Sequence, residues 1–336
     1  MKAVAYQTPG PIDREDALVD ITLDTPTAEG RDLLVKIHAV SVNPVDVKVR
    51  AGRPKEDGWA VLGWDASGVV EAVGPDVTGY KPGDEVFYAG SIVRPGTNSE
   101  YHLVDERIVS RKPTTLSHPA AAALPLTAIT AYEMLFDRLK VNDPTPEGGD
   151  TILVIGGAGG VGSITIQLLR ALTDMTIIAT ASRPETQDWV RECGAHHVVD
   201  HRQPIAPQVA ALNIGAPGYV FSTNNTQHHL DQIVEVIAPQ GRFGFIDDPE
   251  ALDIAGFKQK SVSIHWEFMY TRSHFGTPDI EKQRDLLNPV ADLVDAERIT
   301  STATETAGKI DAATLKKVHA QIETGATRGK IVLEGF

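Results

Sequence analysis

Residues 151–172, TILVIGGAGGVGSITIQLLRAL, decide the fold of this chain. The first five residues are a short apolar run, which predicts a buried strand, and residues 161–172 predict a helix. The glycines between them satisfy the pattern G-x-G-x-x-G, which permits a tight turn and a close approach of the backbone to a pyrophosphate at the helix N-terminus. The segment therefore predicts a dinucleotide-binding loop, against the alternative of a glycine-rich turn without a ligand. The cofactor-binding residues predicted in this loop are Gly157, Ala158, Gly159, Gly160, Val161 and Gly162.

The pattern of predicted strands and helices changes near residue 117. Before it, short β-like runs such as 33–39, 66–73 and 85–88 are separated by turns that contain Gly or Pro. After Ser117, a predicted N-cap, apolar strands alternate with helices, which predicts a parallel, doubly wound sheet. We therefore predict an α/β protein with a β-rich domain formed by 1–120 and 270–336 and a dinucleotide-binding domain formed by 121–269.

The strand predicted at 176–181 ends on Ser182 and Arg183, twenty residues beyond the last glycine of the loop. An acid at this place binds the ribose 2′-hydroxyl of NAD. A serine hydroxyl and a guanidinium instead suit a 2′-phosphate, so the pair predicts NADPH. The alternative is that Arg183 is a solvated residue at a helix start. His201, which follows the next strand, either stacks on the adenine or has no role.

Composition narrows the possible functions. The net charge is −14 and there is no long basic run, which argues against nucleic acid as a partner. The single cysteine, Cys193, excludes an intramolecular disulfide, and a cysteine cluster for zinc. The N-terminus lacks the apolar core of a signal peptide, and no apolar run reaches the roughly 18 residues of a membrane span. We expect a cytoplasmic protein without a membrane partner.

Several motifs resemble the medium-chain dehydrogenase/reductase superfamily. They are GWDASGVV (63–70), KPGDEV (81–86), PLTA (125–128) and the closing RGKIVL (328–333). The segment SVNPVDVK (41–48) resembles the quinone oxidoreductase branch, and the chain as a whole resembles the subgroup called zinc-type alcohol dehydrogenase-like. The resemblance implies a GroES-like catalytic domain, a Rossmann domain for the cofactor, and a homodimer.

The sequence departs from the zinc-dependent members of this family. Asn43 stands where they have the cysteine of a C-x-x-D segment, and Trp64 stands where they have the histidine of a G-H-E segment. His38 and His102 have no partners at ligand-like spacing, and a zinc site needs three or four ligands. We therefore predict no metal site. Hydride transfer then suits a quinone or an enone, which delocalises its own charge.

The resemblance also implies roles for single residues. Asn43 is predicted to bond the substrate oxygen or the cofactor, and Trp64 to line the pocket or simply to pack. Lys48 is predicted to donate a proton or to steady an oxyanion, with an exposed surface lysine as the alternative. Asp65 is expected to pair with Lys48 or Arg50. The remaining predicted cofactor contacts are Thr127, Phe221, Phe245 and Lys330.

Two alternatives to an NADPH-dependent quinone or enone reductase stay open, a zinc-dependent alcohol dehydrogenase and a non-catalytic NADPH-binding protein.

An aromatic patch also has two interpretations. It is expected to serve dimer or interdomain packing, or to form a wall of the substrate pocket. Its members are Trp266, Phe268, Met269, Tyr270 and Phe275.

Overall fold

The structure is a computed structural model that describes residues 1–53 and 58–336. The chain divides into two compact units. The first unit comprises Met1–Ile129 and Tyr270–Phe336, and the second comprises Thr130–Met269. The predicted boundaries were 120/121 and 269/270, so the first one lies earlier in the chain than the boundary between the units.

Sixteen strands can be assigned within the described residues. They are β1 (Lys2–Tyr6), β2 (Val19–Thr22), β3 (Asp32–Ser41), β4 (Ala60–Val61), β5 (Ala66–Val73), β6 (Glu85–Tyr88), β7 (Tyr101–Asp105), β8 (Ser110–Arg111), β9 (Thr151–Ile155), β10 (Thr176–Thr180), β11 (His197–Val199), β12 (Tyr219–Ser222), β13 (Arg242–Phe245), β14 (Ser263–Trp266), β15 (Ala303–Thr306) and β16 (Lys330–Glu334). The α-helices are α1 (Pro44–Gly52), α2 (His118–Ala122), α3 (Pro125–Tyr132), α4 (Gly160–Leu172), α5 (Pro184–Glu192), α6 (Ile205–Ala210), α7 (Thr226–Val236), α8 (Thr271–Phe275), α9 (Lys282–Asp295) and α10 (Ala312–Glu323).

The second unit is built on a six-stranded sheet in the order β11-β10-β9-β12-β13-β14. Every neighbouring pair in it is parallel. The central strand β9 is fully buried, as expected of a parallel strand covered on both faces. Because parallel strands end at the same edge of a sheet, the loops after β9, β10, β11 and β12 are gathered there.

The first unit is rich in antiparallel pairs. A seven-stranded sheet includes the path β15-β16-β3-β5-β6-β8, with β7 paired to β3, and a three-stranded sheet has the order β2-β1-β4. The strand β3 is the hub, since β5, β7 and β16 all pair with it. Through β16 the last strand of the chain reaches the end of β3, directly before α1. This pairing brings Lys330 near Asn43 although 287 residues separate them.

Most of the predicted elements are confirmed. The strands β5, β6 and β9 have the predicted bounds, and Ser117 is the N-cap of α2, accepting a hydrogen bond from the backbone of Ala120. The strand β14 was missed, because its residues were interpreted only as part of the aromatic patch. That patch is not one surface, since Trp266, Phe268 and Phe275 are exposed whereas Met269 and Tyr270 are buried.

One helical stretch among the described residues, His118–Arg138, is long and apolar enough to cross a membrane by length and composition alone. It has 21 residues, and its most apolar window has a mean hydropathy of 1.2 and is 78% buried inside the structure. Such burial is that of a core helix.

Candidate active and cofactor-binding sites

A buried polar cluster lies where α1 begins in the first unit. Asn43 is the N-cap of α1, and Pro44 occupies the first helical position. Asp46 then accepts hydrogen bonds from the backbone N–H of Asn43 at 2.7 Å and of Gly63 at 2.9 Å. The segment N-P-x-D is therefore a capping box, which holds the start of the helix and fixes Gly63 beside it.

Asp65 and Lys330 form the ionic centre of this cluster. The Lys330 ammonium lies 3.0 Å from Asp65 Oδ2, and both side chains are buried. The ammonium also donates to the carbonyl of Val42 at 3.1 Å and to Oδ1 of Asn43. An ammonium has three N–H donors, so all the donors of Lys330 are used inside the protein. We name Asn43, Asp46, Asp65 and Lys330 the Lys330 network.

The amide of Asn43 is engaged as fully as the ammonium. Its Nδ2 donates to Asp65 Oδ2 at 2.9 Å and to the carbonyl of Ser41 at 3.4 Å. The other carboxylate oxygen of Asp65 accepts the backbone N–H of Leu126 at 2.8 Å. The Lys330 network therefore ties β3, β5, α3 and β16 together.

Two carboxyl groups share one buried cation in this network, and their pKa values reflect it. Burial raises the pKa of Asp46 to about 7, although the two backbone hydrogen bonds and Lys330 work in the opposite direction. Burial also raises the pKa of Asp65, and Lys330 and Asn43 counter this rise. Desolvation disfavours the charged carboxylate, and a neighbouring ammonium favours it.

The other predicted catalytic residues lie at different depths. Trp64 is buried, donates from its indole N–H to the carbonyl of Ser91 at 3.2 Å, and meets Tyr270 edge to face with ring centroids 6.3 Å apart. Lys48 is on the exposed side of α1. The expected partners of Asp65 were wrong, since it pairs with Lys330, and Arg50 pairs with Glu323.

The glycines of the loop after β9, in the second unit, differ in whether packing requires them. A Cβ on Gly162 would lie 2.3 Å from the carbonyl oxygen of Gly156, and one on Gly157 would lie 2.9 Å from Cβ of Ala179. These two glycines are needed for packing. Gly159, the N-cap of α4, has φ −74°, and a Cβ there would meet only the Gly156 oxygen, at 3.5 Å. Packing does not require this glycine, and its predicted contact with a ligand at the helix N-terminus stays a prediction.

Ser182 and Arg183 follow β10 as predicted. Arg183 is the N-cap of α5, and its Nε lies 2.7 Å from Glu185 in a pair that is open to solvent on both sides. A second arginine was missed by the sequence analysis. The guanidinium of Arg202 donates to the carbonyl of Ser182 at 2.6 Å. The signal was available, since Arg202 closely follows β11 and the parallel neighbour of that strand is β10.

The remaining predicted cofactor contacts are placed as follows. His201 is half-buried and lies edge-on to His229, with ring centroids 6.2 Å apart. Phe221 and Phe245 are buried within the sheet. Thr127 is buried, and its hydroxyl donates to the carbonyl of Leu124 at 3.1 Å. These contacts stay predictions.

Comparison with known proteins matches two parts of the chain. Residues 29–114 match the alcohol dehydrogenase GroES-like domain, and residues 160–286 match the zinc-binding dehydrogenase domain. A zinc-type alcohol dehydrogenase-like protein of Staphylococcus aureus is 37% identical over 99% of each chain. This chain belongs to the medium-chain dehydrogenase/reductase superfamily.

Solved structures of the superfamily agree with this assignment. A protein of Rhizobium etli described as a candidate zinc-dependent alcohol dehydrogenase is 60% identical, with a TM-score of 0.98 over 100% of this chain and 98% of its own. An Escherichia coli quinone oxidoreductase, solved with NADPH, shares the fold at 21% identity, with a TM-score of 0.82 over 99% and 100% of the chains. The predicted GroES-like domain and Rossmann-like sheet are confirmed, and the chain is an oxidoreductase of a family that uses a nicotinamide cofactor.

The names of the relatives imply zinc, but the donor set of this medium-chain dehydrogenase/reductase does not fit it. Trp64 offers only an N–H, and Asn43 Oδ1 already faces the Lys330 ammonium. Cys193 is buried at the end of α5, where burial raises the pKa of its thiol to about 12. Within residues 1–53 and 58–336, no group of three or more His, Cys, Asp or Glu side chains could hold a metal ion.

The two histidines considered as ligands have other partners. His102 is buried, with Nδ1 3.0 Å from the hydroxyl of Tyr88 and Nε2 2.9 Å from the carbonyl of Pro95. His38 stacks on His118, with ring centroids 4.5 Å apart. Both histidines are thus explained by contacts inside the first unit.

Proposed function

We propose that this chain transfers hydride from NADPH to a quinone or an α,β-unsaturated carbonyl compound without a zinc ion. The observation that carries the proposal is the Lys330 network. It places an ammonium against Asn43, at the position where zinc-dependent relatives have a cysteine ligand, and its donors are all used. Because the ammonium binds Asn43 Oδ1 and Asp65 Oδ2, neither oxygen remains as a ligand for a metal ion, and the charge of Asp65 is already paired.

The acceptor class follows from the chemistry that such a site lacks. A bound reduced nicotinamide supplies the hydride, and a conjugated acceptor spreads the resulting charge onto its own oxygen. A simple ketone depends more on a Lewis acid. The protein then has to exclude water and to offer one donor to the developing oxyanion. Trp64 and Tyr270 supply buried aromatic surface, and Lys48 is the proposed donor.

The preference for NADPH over NADH rests on the end of β10. No acid stands at Ser182 or Arg183, so a 2′-phosphate meets a hydroxyl and a guanidinium instead of a carboxylate. The ion pair of Arg183 with Glu185 is solvent-exposed and therefore weak, so it yields readily to a phosphate dianion.

The test is NADPH oxidation by chelator-treated, metal-analysed protein. The acceptors are a benzoquinone, a naphthoquinone, an alkenal and a simple ketone, each repeated with NADH. We expect turnover of quinone or alkenal with NADPH after chelation. Activity on the ketone alone, restored by zinc, would overturn the proposal. Tight NADPH binding without turnover of any acceptor would instead favour a non-catalytic role.

The role of Lys48 is tested by Lys48→Gln, with Lys36→Gln as the control. Both lysines are exposed, but Lys36 lies on β3 and Lys48 on α1. As a donor to the oxyanion, Lys48 acts in the transition state, and its loss should lower kcat by roughly a hundredfold or more. An unchanged kcat in Lys48→Gln would leave it a surface residue.

We also propose a cytoplasmic homodimer. The strand β14 is an edge of the sheet in the second unit, and Trp266 on it is 56% exposed. An exposed edge strand with an aromatic side chain suits pairing with a second copy. The native mass should correspond to two chains, and Trp266→Glu should shift it to one, whereas Val93→Glu, at a residue 47% exposed in the first unit, should not.

A further inference from the structure

The inference concerns Arg202, which the sequence analysis did not single out and which the proposed function does not use. Its guanidinium is held in one orientation by two neighbours. Nε and Nη2 contact the carboxylate of Asp200 at 2.7–3.1 Å, and Nη2 also donates to the carbonyl of Ser182 at 2.6 Å. A guanidinium fixed in this way loses little further freedom when it binds a ligand.

The turn that carries Arg202 is itself anchored. The backbone N–H of Asp200 donates to Oε1 of Gln208 at 2.9 Å, and Nε2 of Gln208 donates back to the carbonyl of Asp200 at 2.9 Å. The strands β10 and β11 pair in register, with Thr180 beside Val199. The residues that follow them therefore lie next to each other at the same edge of the sheet.

One nitrogen of the Arg202 guanidinium is not used by the contacts with Asp200 and Ser182. Nη1 makes no hydrogen bond to any residue that the structure describes, and the side chain is 62% exposed. Arg183 also lies at this edge, and its backbone is fixed by Thr186, whose hydroxyl accepts from the N–H of Arg183 at 3.1 Å. Burial lowers the pKa of His201 and both arginines lower it further, which places them within electrostatic reach of the same ring.

We propose that Arg202 is a second ligand of the cofactor 2′-phosphate, acting together with Arg183 on either side of Ser182. Arg183 follows β10, and Arg202 follows the neighbouring strand β11. The ligand class is an adenosine 2′-phosphate. Asp200 positions Arg202 and so acts on the phosphate only through that side chain. The inference rests on the proposed use of NADPH, and it assigns cofactor selectivity to a residue outside the strand that was predicted to carry it.

The experiment is calorimetric titration with adenosine 2′,5′-bisphosphate and with AMP, which differ only in the 2′-phosphate. Neither probe contains nicotinamide, so the result is independent of whether hydride transfer occurs. Wild-type protein should bind the bisphosphate more tightly. Arg202→Ala should weaken bisphosphate binding about tenfold to a hundredfold and leave AMP binding within about twofold. Arg202→Lys should fall between, since it keeps the charge and loses the fixed fork.

The control is Arg191→Ala. Arg191 is also exposed and also paired with a nearby acid, Asp188, but it lies in the last turn of α5. It should not change the binding of either probe. Equal affinity of wild-type protein for the two probes would overturn the proposal without any variant. Loss of both probes together in Arg202→Ala would also overturn it, because Arg202 would then act only as a tether of the Ser182 carbonyl.

Discussion

The Lys330 network in the first unit and the arginines of the second unit use the same kinds of groups in opposite ways. In the network, the three donors of the ammonium and both donors of Asn43 Nδ2 end on protein oxygens, and every member is buried. Arg183 and Arg202 instead pair with acids near them in the sequence, Glu185 and Asp200, and part of the Arg202 fork faces solvent. The difference teaches that charge alone does not mark a binding site. A saturated cation supports the fold, and a cation with spare donors is available to a ligand.

The largest expected effect is in the Lys330 network. Lys330→Met would leave the carboxyl of Asp65 buried without its cation, and breaking a buried ion pair costs about 3–5 kcal/mol. Lys317→Met, at an exposed lysine on α10, is the matched control and should cost little. Urea unfolding of both variants measures the free energies. A small loss in Lys330→Met would mean that its donors are available, as a direct cofactor contact requires.

A pair of glycine variants sharpens the comparison within the loop after β9. Gly162→Ala drives a Cβ against the Gly156 carbonyl, which should cost about 1–3 kcal/mol of stability. Gly159→Ala makes only an ordinary contact with the Gly156 oxygen and should cost less, about 0.5–1 kcal/mol for the poorer N-cap, yet weaken NADPH on the order of tenfold by blocking the approach of the pyrophosphate. Unfolding and NADPH titration of each variant separate the two roles. Undiminished NADPH affinity in Gly159→Ala would show that this glycine is not a ligand contact.

A smaller effect tests a buried group that has no charge partner. His319 is fully buried, neither ring nitrogen has a hydrogen-bond partner among the described residues, and burial, with Arg50 nearby, lowers its pKa to about 3. The unfolded chain takes up the proton near pH 6.5, so this contribution to stability is present above that value and is lost as the pH falls towards 3. Between pH 7 and pH 5 the loss is about 2 kcal/mol, and His319→Leu should not show it.

Unfolding of wild-type protein and of His319→Leu at the two pH values measures this difference, and titration of every other group is common to both. His274→Leu, at an exposed histidine of the same unit, is the control. If the loss between pH 7 and pH 5 were the same in His319→Leu as in wild-type protein, His319 would not be held neutral by burial.

The local elements were largely predictable from the sequence, and the long-range pairings were not. Residues 151–162 predicted the strand, the loop and the helix start, because apolar runs and glycine spacing act over a few residues. The cofactor contact expected of Lys330 stays a prediction, and its pairing with Asp65, which spans 265 residues and depends on the pairing of β16 with β3, was not predicted. The strand β14 was hidden because an edge strand does not require the continuous burial of a central one.

Two features of the sites carried a signal that was not used. The segment N-P-x-D has the spacing of a capping box, which would have assigned Asp46 to the start of α1. Arg202 stands just beyond the strand next to β10, and parallel pairing alone would have placed it near Ser182. The first signal is local, whereas the second needs a predicted topology before a single residue can be interpreted.

The central claim is that hydride transfer in this protein needs no metal. The most direct measurement is the kcat for benzoquinone with NADPH, determined on protein whose zinc content has been reduced below about one ion per hundred chains, and again after zinc is added back. The Lys330 network and the donor set around Trp64 predict the same kcat in both states. A kcat that disappears with the metal and returns with zinc would contradict the account.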